Sequence, residues 1–256
     1  MKTAIREDLS QFTERLQIAA GSNLDCLALY GSAARSEFNE RYSDLNLLIV
    51  LRDTSRTALD QIAPAISWWT HHQQHRPPLI TTEQELRSSA DVFAIETLDL
   101  ITTHRILAGR DLISSIDVPM DLHRIQLEHE LRTLLLKLRQ HYLVSQHDER
   151  ELQGTLAKSA STAITLFRHA LIALGRPPAE SKREVITAVA QLEDIDAAPL
   201  QAALDLREGR RIEAGIDTLY HRYMDAIAAL VRLIDQAVPK PRAQRPDRTS
   251  SPERIG

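Results

Sequence analysis

Apolar positions recur at helical spacing through the first twenty residues, where Ile5, Leu9, Phe12 and Leu16 share one face and Glu and Arg fill the other, so an amphipathic helix is expected over 3–20. Gly21-Ser22-Asn23 closes it. Residues 24–30 and 45–51 are short, nearly unbroken apolar runs, the second stiffened by Ile49 and Val50, and each reads as a buried strand. A polar connection separates them. Helical periods return over 57–72 and 92–103, with a short strand expected over 79–82 and a last one over 105–109.

From residue 121 the strand signals stop and long helical periods take over. Leu122, Ile125, Leu131, Leu134, Leu135 and Leu138 mark one helix. Leu152, Leu156, Ile164, Phe167, Leu171 and Leu174 mark a second, which should stop at Gly175 before Pro177-Pro178. Ser181 and Glu184 have capping-box spacing ahead of Val185, Ile186 and Val189, a short helix is expected over 199–206, and a long final one over 212–238. The pattern predicts an α+β protein: a mixed sheet flanked by helices over residues 1–116, an all-α helical bundle over 117–238, and a disordered tail over 239–256, where Pro239, Pro241, Pro246 and Pro252 stand among charged side chains.

Composition narrows the classes. The chain has 256 residues, 43% hydrophobic and 26% charged, enough to bury a core, and its longest apolar runs are far too short to span a bilayer. Acidic residues stand where a secretory signal needs its apolar stretch, so a cytoplasmic location is expected and no membrane partner. Cys26 is the single cysteine; its apolar setting makes it a structural thiol. The formal charge of −4 conceals a tail with five basic and two acidic residues, which leaves the body near −7. Such a body repels a phosphate backbone, which argues against a nucleic-acid partner.

The chemistry concentrates in Leu29-Tyr30-Gly31-Ser32-Ala33-Ala34-Arg35-Ser36-Glu37, followed by Ser43-Asp44-Leu45-Asn46-Leu47-Leu48-Ile49-Val50. A strand ending in Gly-Ser and turning into a helix offers backbone N–H groups and a hydroxyl to an anion, and Gly31 lets a phosphate approach closely. On the next strand, Asp44 and Asn46 are two apart and share a face, opposite Leu45, Leu47 and Ile49.

These residues resemble the signature of the nucleotidyltransferase superfamily, the group that includes polymerase beta and the antibiotic nucleotidyltransferases: Gly-Ser, a turn with Ala-Arg-Gly, then Ser-Asp-x-Asp-Leu-hydrophobic-Val. Gly31, Ser32, Ala34, Arg35, Ser43, Asp44 and Leu47 match. The resemblance implies a triphosphate held over Gly31 and Ser32 with Arg35 nearby, and Mg2+ bound by Asp44 and Asn46. It implies transfer of a nucleoside monophosphate from a nucleoside triphosphate to a hydroxyl of a small-molecule or protein acceptor, with Asp44 as the catalytic carboxylate. The carboxylate triad is incomplete, because Asn46 replaces the second aspartate and brings no charge. The third acid is expected near 79–82, which contains none, and Glu83, Glu85, Glu96 and Asp99 are the substitutes within reach. An impaired enzyme, or a non-catalytic module that binds nucleotide or protein through the same cleft, is the alternative reading, and the long helices could also pair two copies into a homodimer.

Other polar clusters have plainer readings. His71-His72-His75 read as solvated histidines at a helix end, and His123, Glu128, His129 and Glu130 as a polar helix face. Arg168 and His169 are adjacent and lack the Arg-x-x-x-x-x-His spacing of RNA-cleaving helical domains that accompany such folds.

Overall fold

The computed structural model describes residues 3–34, 45–146, 148–177, 179, 181–212 and 215–237. The first helix, α1, covers Thr3–Ala20, and a tight turn at Gly21–Asn23 feeds strand β1, Leu24–Tyr30. Strand β2 covers Asn46–Leu51, and helix α2, Arg56–Ser67, runs on into a wider π turn at Trp68–His72. Then come β3, Leu79–Thr82; α3, Glu83–Ser88; α4, Ala94–Thr102; and β4, His104–Gly109. Each predicted strand is present. Helix α3 has no counterpart in the sequence reading: six residues are too few to display a period, although Thr82 and Glu85 close a complete capping box around its first turn.

The four strands form one mixed sheet in the order β3-β2-β1-β4. β1 pairs antiparallel with β2 and β4, while β2 and β3 run parallel. Its central strand is buried on both faces, which is why its sequence is a continuous apolar run rather than an alternating one. On one face Leu27, Leu29, Leu47 and Ile49 pack with Phe12, Leu16 and Trp69 from α1 and the α2 end. On the other, Cys26, Ala28, Leu48 and Val50 pack with Leu86 of α3 and Leu100 of α4, with Tyr30 and Ile106 alongside. Cys26 is fully buried and its thiol is pushed up to about 11 by that burial, consistent with an unreactive structural side chain.

The rest of the described chain is helical: α5, Met120–Ser145; α6, Glu149–Ala173; α7, Lys182–Val189; α8, Ala198–Arg207; and α9, Ile216–Ala237. The Ser181–Glu184 capping box is made in both directions, and α6 gives way at Leu174-Gly175. The final helix begins four residues later than expected from its first apolar position. These helices share one core around Leu131, Phe167, Tyr220 and Tyr223. The fold is therefore α+β, a mixed sheet with flanking helices followed by a helical bundle. No described helix is long and apolar enough to cross a membrane. Residues 239–256, expected to be a disordered tail, lie outside the described residues.

One short helix joins the two halves. Leu100 and Ile101 of α4 pack on the sheet, whereas Ile95 sits in the bundle core. Gln126 of α5 fastens its start: Gln126 Oε1 accepts from the Ile95 backbone N–H at 3.0 Å, satisfying a first-turn donor that the helix itself leaves unpaired. The amide nitrogen of the same side chain donates to Glu96 Oε2 at 2.9 Å.

Candidate functional site

β1 ends at Tyr30, and Gly31 starts a tight turn over Gly31–Ala33. Gly31 has φ +73°, in the left-handed region that glycine enters without strain. Directly across the ladder, Tyr30 pairs with Asn46, the first residue of β2. A Cβ on Gly31 would stand 3.1 Å from Asn46 Nδ2, so the glycine both permits the turn and leaves space for the Asn46 side chain. The Gly31 turn and the Asn46 amide are thus neighbours at one end of the sheet. Ser32 lies within the turn, while Arg35 and Asp44 fall outside the described residues.

Strand parity decides which face matters. Asn46 follows the parity of Leu48 and Val50, and Tyr30 that of Cys26 and Ala28, so both side chains stand on the face covered by α3 and α4. His104 of β4 pairs with Tyr30 from the other side. Asn46, Tyr30 and His104 therefore make a row across three strands. His104 donates from Nδ1 to the Leu100 carbonyl at 2.8 Å, and its Nε2 is 3.3 Å from Asp111 Oδ1. The Ser114 hydroxyl, followed by backbone N–H donors, holds the Asp111 carboxyl down at about 2. Burial raises the Tyr30 phenol above its ordinary value, and the negative charge of Glu96 raises it further. Neither Tyr30 nor His104 stood out in the sequence. Residue parity counted forward from Cys26 was the one signal that could have placed Tyr30 beside Asn46.

The four candidate third acids now separate. Because β3 runs parallel to β2, with Leu48 beside Leu79 and Leu51 beside Thr82, its acidic sequel emerges at the end opposite Asn46, about 16 Å away at ordinary strand rise. Glu85 there is committed to Thr82, accepting its N–H at 2.8 Å, and Glu83 pairs with Arg87 at 3.0 Å. Asp99 faces the bundle, 3.4 Å from His169 Nε2. Glu96, exposed in the first turn of α4, is the one of the four whose charge reaches the Tyr30 end of the sheet. Among the described residues no group of three or more His, Cys, Asp or Glu side chains is arranged to hold a metal ion. Asn46 supplies a single neutral oxygen donor beside the turn.

His123 corrects a sequence expectation. Read as part of a polar helix face, it is completely buried, as is His169, and the two imidazoles share a hydrogen bond: His123 Nε2 and His169 Nδ1 are 2.9 Å apart. Burial, reinforced by the neighbouring His169, pushes the His123 ring down to about 4 despite the opposing charge of Asp99. Of the three histidines expected at the end of α2, His71 and His72 are exposed. His75 instead stacks on Trp69 at 4.1 Å and lies 3.5 Å from Asp8. An open groove of about 640 Å³, lined by Arg6, Ser10, Thr13, Ala33, Ala34 and Arg105, reaches the turn from the α1 side, the face opposite Asn46.

The mixed sheet, its Gly31 turn and the following bundle define a nucleotidyltransferase-like fold. A crystal structure of the spectinomycin adenyltransferase AAD(9) from Enterococcus faecialis, solved with ATP and spectinomycin, superposes with a TM-score of 0.53, covering 90% of this chain and 99% of that one at 15% identity. No protein-family model and no curated protein matches the chain.

Proposed function

We propose that the protein is a nucleotidyltransferase that moves a nucleoside monophosphate from a nucleoside triphosphate to a hydroxyl of a small molecule or protein. The observation that carries this reading is the contact of the Gly31 turn with Asn46, two residues after Asp44, on a sheet of this fold. Backbone N–H groups at Gly31–Ala33 and the Ser32 hydroxyl are assigned to the triphosphate, with Arg35 as an added positive charge. Asp44 and Asn46 are the residues that would hold Mg2+, which when bound neutralises phosphate charge and makes the attacking hydroxyl more acidic. A structural neighbour solved with both ATP and spectinomycin supports a reading in which a nucleotide and a hydroxyl-bearing acceptor are the two substrates.

The rival reading is a nucleotide-binding module without turnover. It is favoured by one observation, the neutral Asn46 at a position where the resembled pattern has a second carboxylate, because an amide brings no charge and bridges metal ions poorly. Pyrophosphate release, measured with each nucleoside triphosphate and Mg2+ or Mn2+ across a panel of aminocyclitol, nucleoside and protein hydroxyl acceptors, separates the two. Metal-dependent release in the native protein, reduced at least about a hundredfold in Asp44→Ala, is expected for the enzyme. Nucleotide binding without release in either protein would establish the module.

A further inference from the structure

The sheet lacks an acid where the third carboxylate of the resembled pattern would stand, and both acids that follow β3 are engaged at its far end. A carboxylate that takes the acceptor's proton therefore comes from an element other than β3. Helix α4 is the element that lies over the relevant face: Leu100 packs in the same cluster as Tyr30, and Glu96 is one turn earlier along the same stripe of the helix. We infer that Glu96 is the proton acceptor for the attacking hydroxyl, delivered to the site by a helix rather than a strand and aimed by Gln126. This rests on the nucleotidyl-transfer reading above.

Three observations carry the assignment. Glu96 is exposed, so a substrate can reach it, whereas Asp99 on the same helix is turned toward the buried His169. Its carboxylate is not left to wander: Gln126 donates to Oε2 at 2.9 Å and at the same time accepts from the Ile95 N–H at 3.0 Å, a two-point clamp that ties side chain and helix start to α5. Its helix is fixed at the end of the sheet where the Gly31 turn lies: Leu100, one turn on from Glu96, packs in one cluster with Tyr30, the strand partner of Asn46, and the Leu100 carbonyl accepts from His104, the other strand partner of Tyr30. With Oε2 engaged by Gln126, Oε1 is assigned to the proton. In the step, the acceptor oxygen bonds to the α-phosphorus while its proton passes to Glu96. The bond from that phosphorus to the oxygen bridging to the β-phosphate breaks, and pyrophosphate leaves with the electron pair. Because Gln126 belongs to the bundle, the bundle acts as a positioning element for the proton acceptor.

An acidic residue in a first helical turn also has a structural use, since it complements the helix dipole. Glu96→Gln separates the two roles: its amide oxygen still accepts from Gln126, but its basicity is gone. The full chain carrying this change is expected to bind nucleoside triphosphate with unchanged heat and affinity. It should melt within a few degrees of the native protein and lose about 10²- to 10⁴-fold in kcat with little change in KM for the nucleotide. Glu96→Asp should retain part of the rate. An active native protein whose Glu96→Gln variant turns over within threefold of it overturns the role of Glu96 and leaves nucleotidyl transfer standing. Should Glu96→Gln fold poorly, a Glu96→Asp variant as slow as protein lacking any carboxylate there, such as Glu96→Ala, equally overturns it. A native protein that releases no pyrophosphate with any acceptor overturns both readings.

Discussion

Gly109→Ala is expected to destabilise the protein by about 2–5 kcal/mol, the largest effect of any single methyl addition in the sheet. Two costs combine. Gly109 has φ +81°, a left-handed conformation that costs a residue with a side chain about 1–2 kcal/mol. Its missing side chain is also occupied by backbone, because a Cβ there would overlap the carbonyl oxygen of Asp25 and stand 2.8 Å from the carbonyl carbon. Backbone cannot rotate aside as a flexible side chain can, so the remaining about 1–3 kcal/mol of overpacking must be met by pulling β4 from β1. The separation would break Arg110 N–H to Asp25 O at 2.9 Å and disturb Asp25, a buried carboxylate held below its ordinary range by Arg52 and Arg110. It would also displace His104 from the row beside Tyr30. Urea unfolding read by circular dichroism measures the loss, and a midpoint matching that of the native protein would refute this packing.

Acidification from pH 6.5 to 4 is expected to remove about 3 kcal/mol of stability through His123 alone. The sign follows from proton counts. Above pH 6.5 the imidazole is neutral whether the chain is folded or not, and pH has no leverage. Between 6.5 and about 4 the unfolded chain takes up a proton that the folded protein refuses, so unfolding is favoured increasingly as pH falls; below about 4 both states are protonated and the loss levels off. The refusal has a structural basis, because His123 is fully buried against His169, and the carboxylate beside the pair, Asp99, lies 3.4 Å from His169 Nε2. Asp25 and Asp111 titrate below the ordinary carboxylate range, so their contributions fail at lower pH and leave this window to the imidazole. Unfolding free energies at half-unit steps of pH should show the slope in the native protein. His123→Gln, which keeps a side-chain N–H near the position of Nε2, should flatten it. An equal slope in both proteins would assign the acid sensitivity elsewhere.

The contrast between these two sites explains how much of the molecule could be read before folding. Strands 24–30 and 45–51 were legible because burial on both faces forces an unbroken apolar run, and the α7 start was legible because Ser181 and Glu184 are local partners. The Gly31 turn and Asn46 were legible for the same reason: each is specified within a few residues. The His123–His169 pair was not, since it joins positions 46 apart and apolar periodicity is blind to polar groups that bury one another. Nor could sequence decide among Glu83, Glu85, Glu96 and Asp99. That choice depends on β3 running parallel to β2 and on α4 facing the sheet with one stripe and the bundle with the other, both of which are tertiary facts.

A crystal structure of the protein with a non-hydrolysable nucleoside triphosphate and Mg2+ tests the central claim most directly. The expected density places the phosphates on the backbone of Gly31–Ala33, with the α-phosphorus on the Asn46 and Tyr30 face of the sheet and within reach of Glu96. Phosphates bound in the groove between α1 and β4, on the opposite face, or a nucleotide absent at saturating concentration, would contradict it.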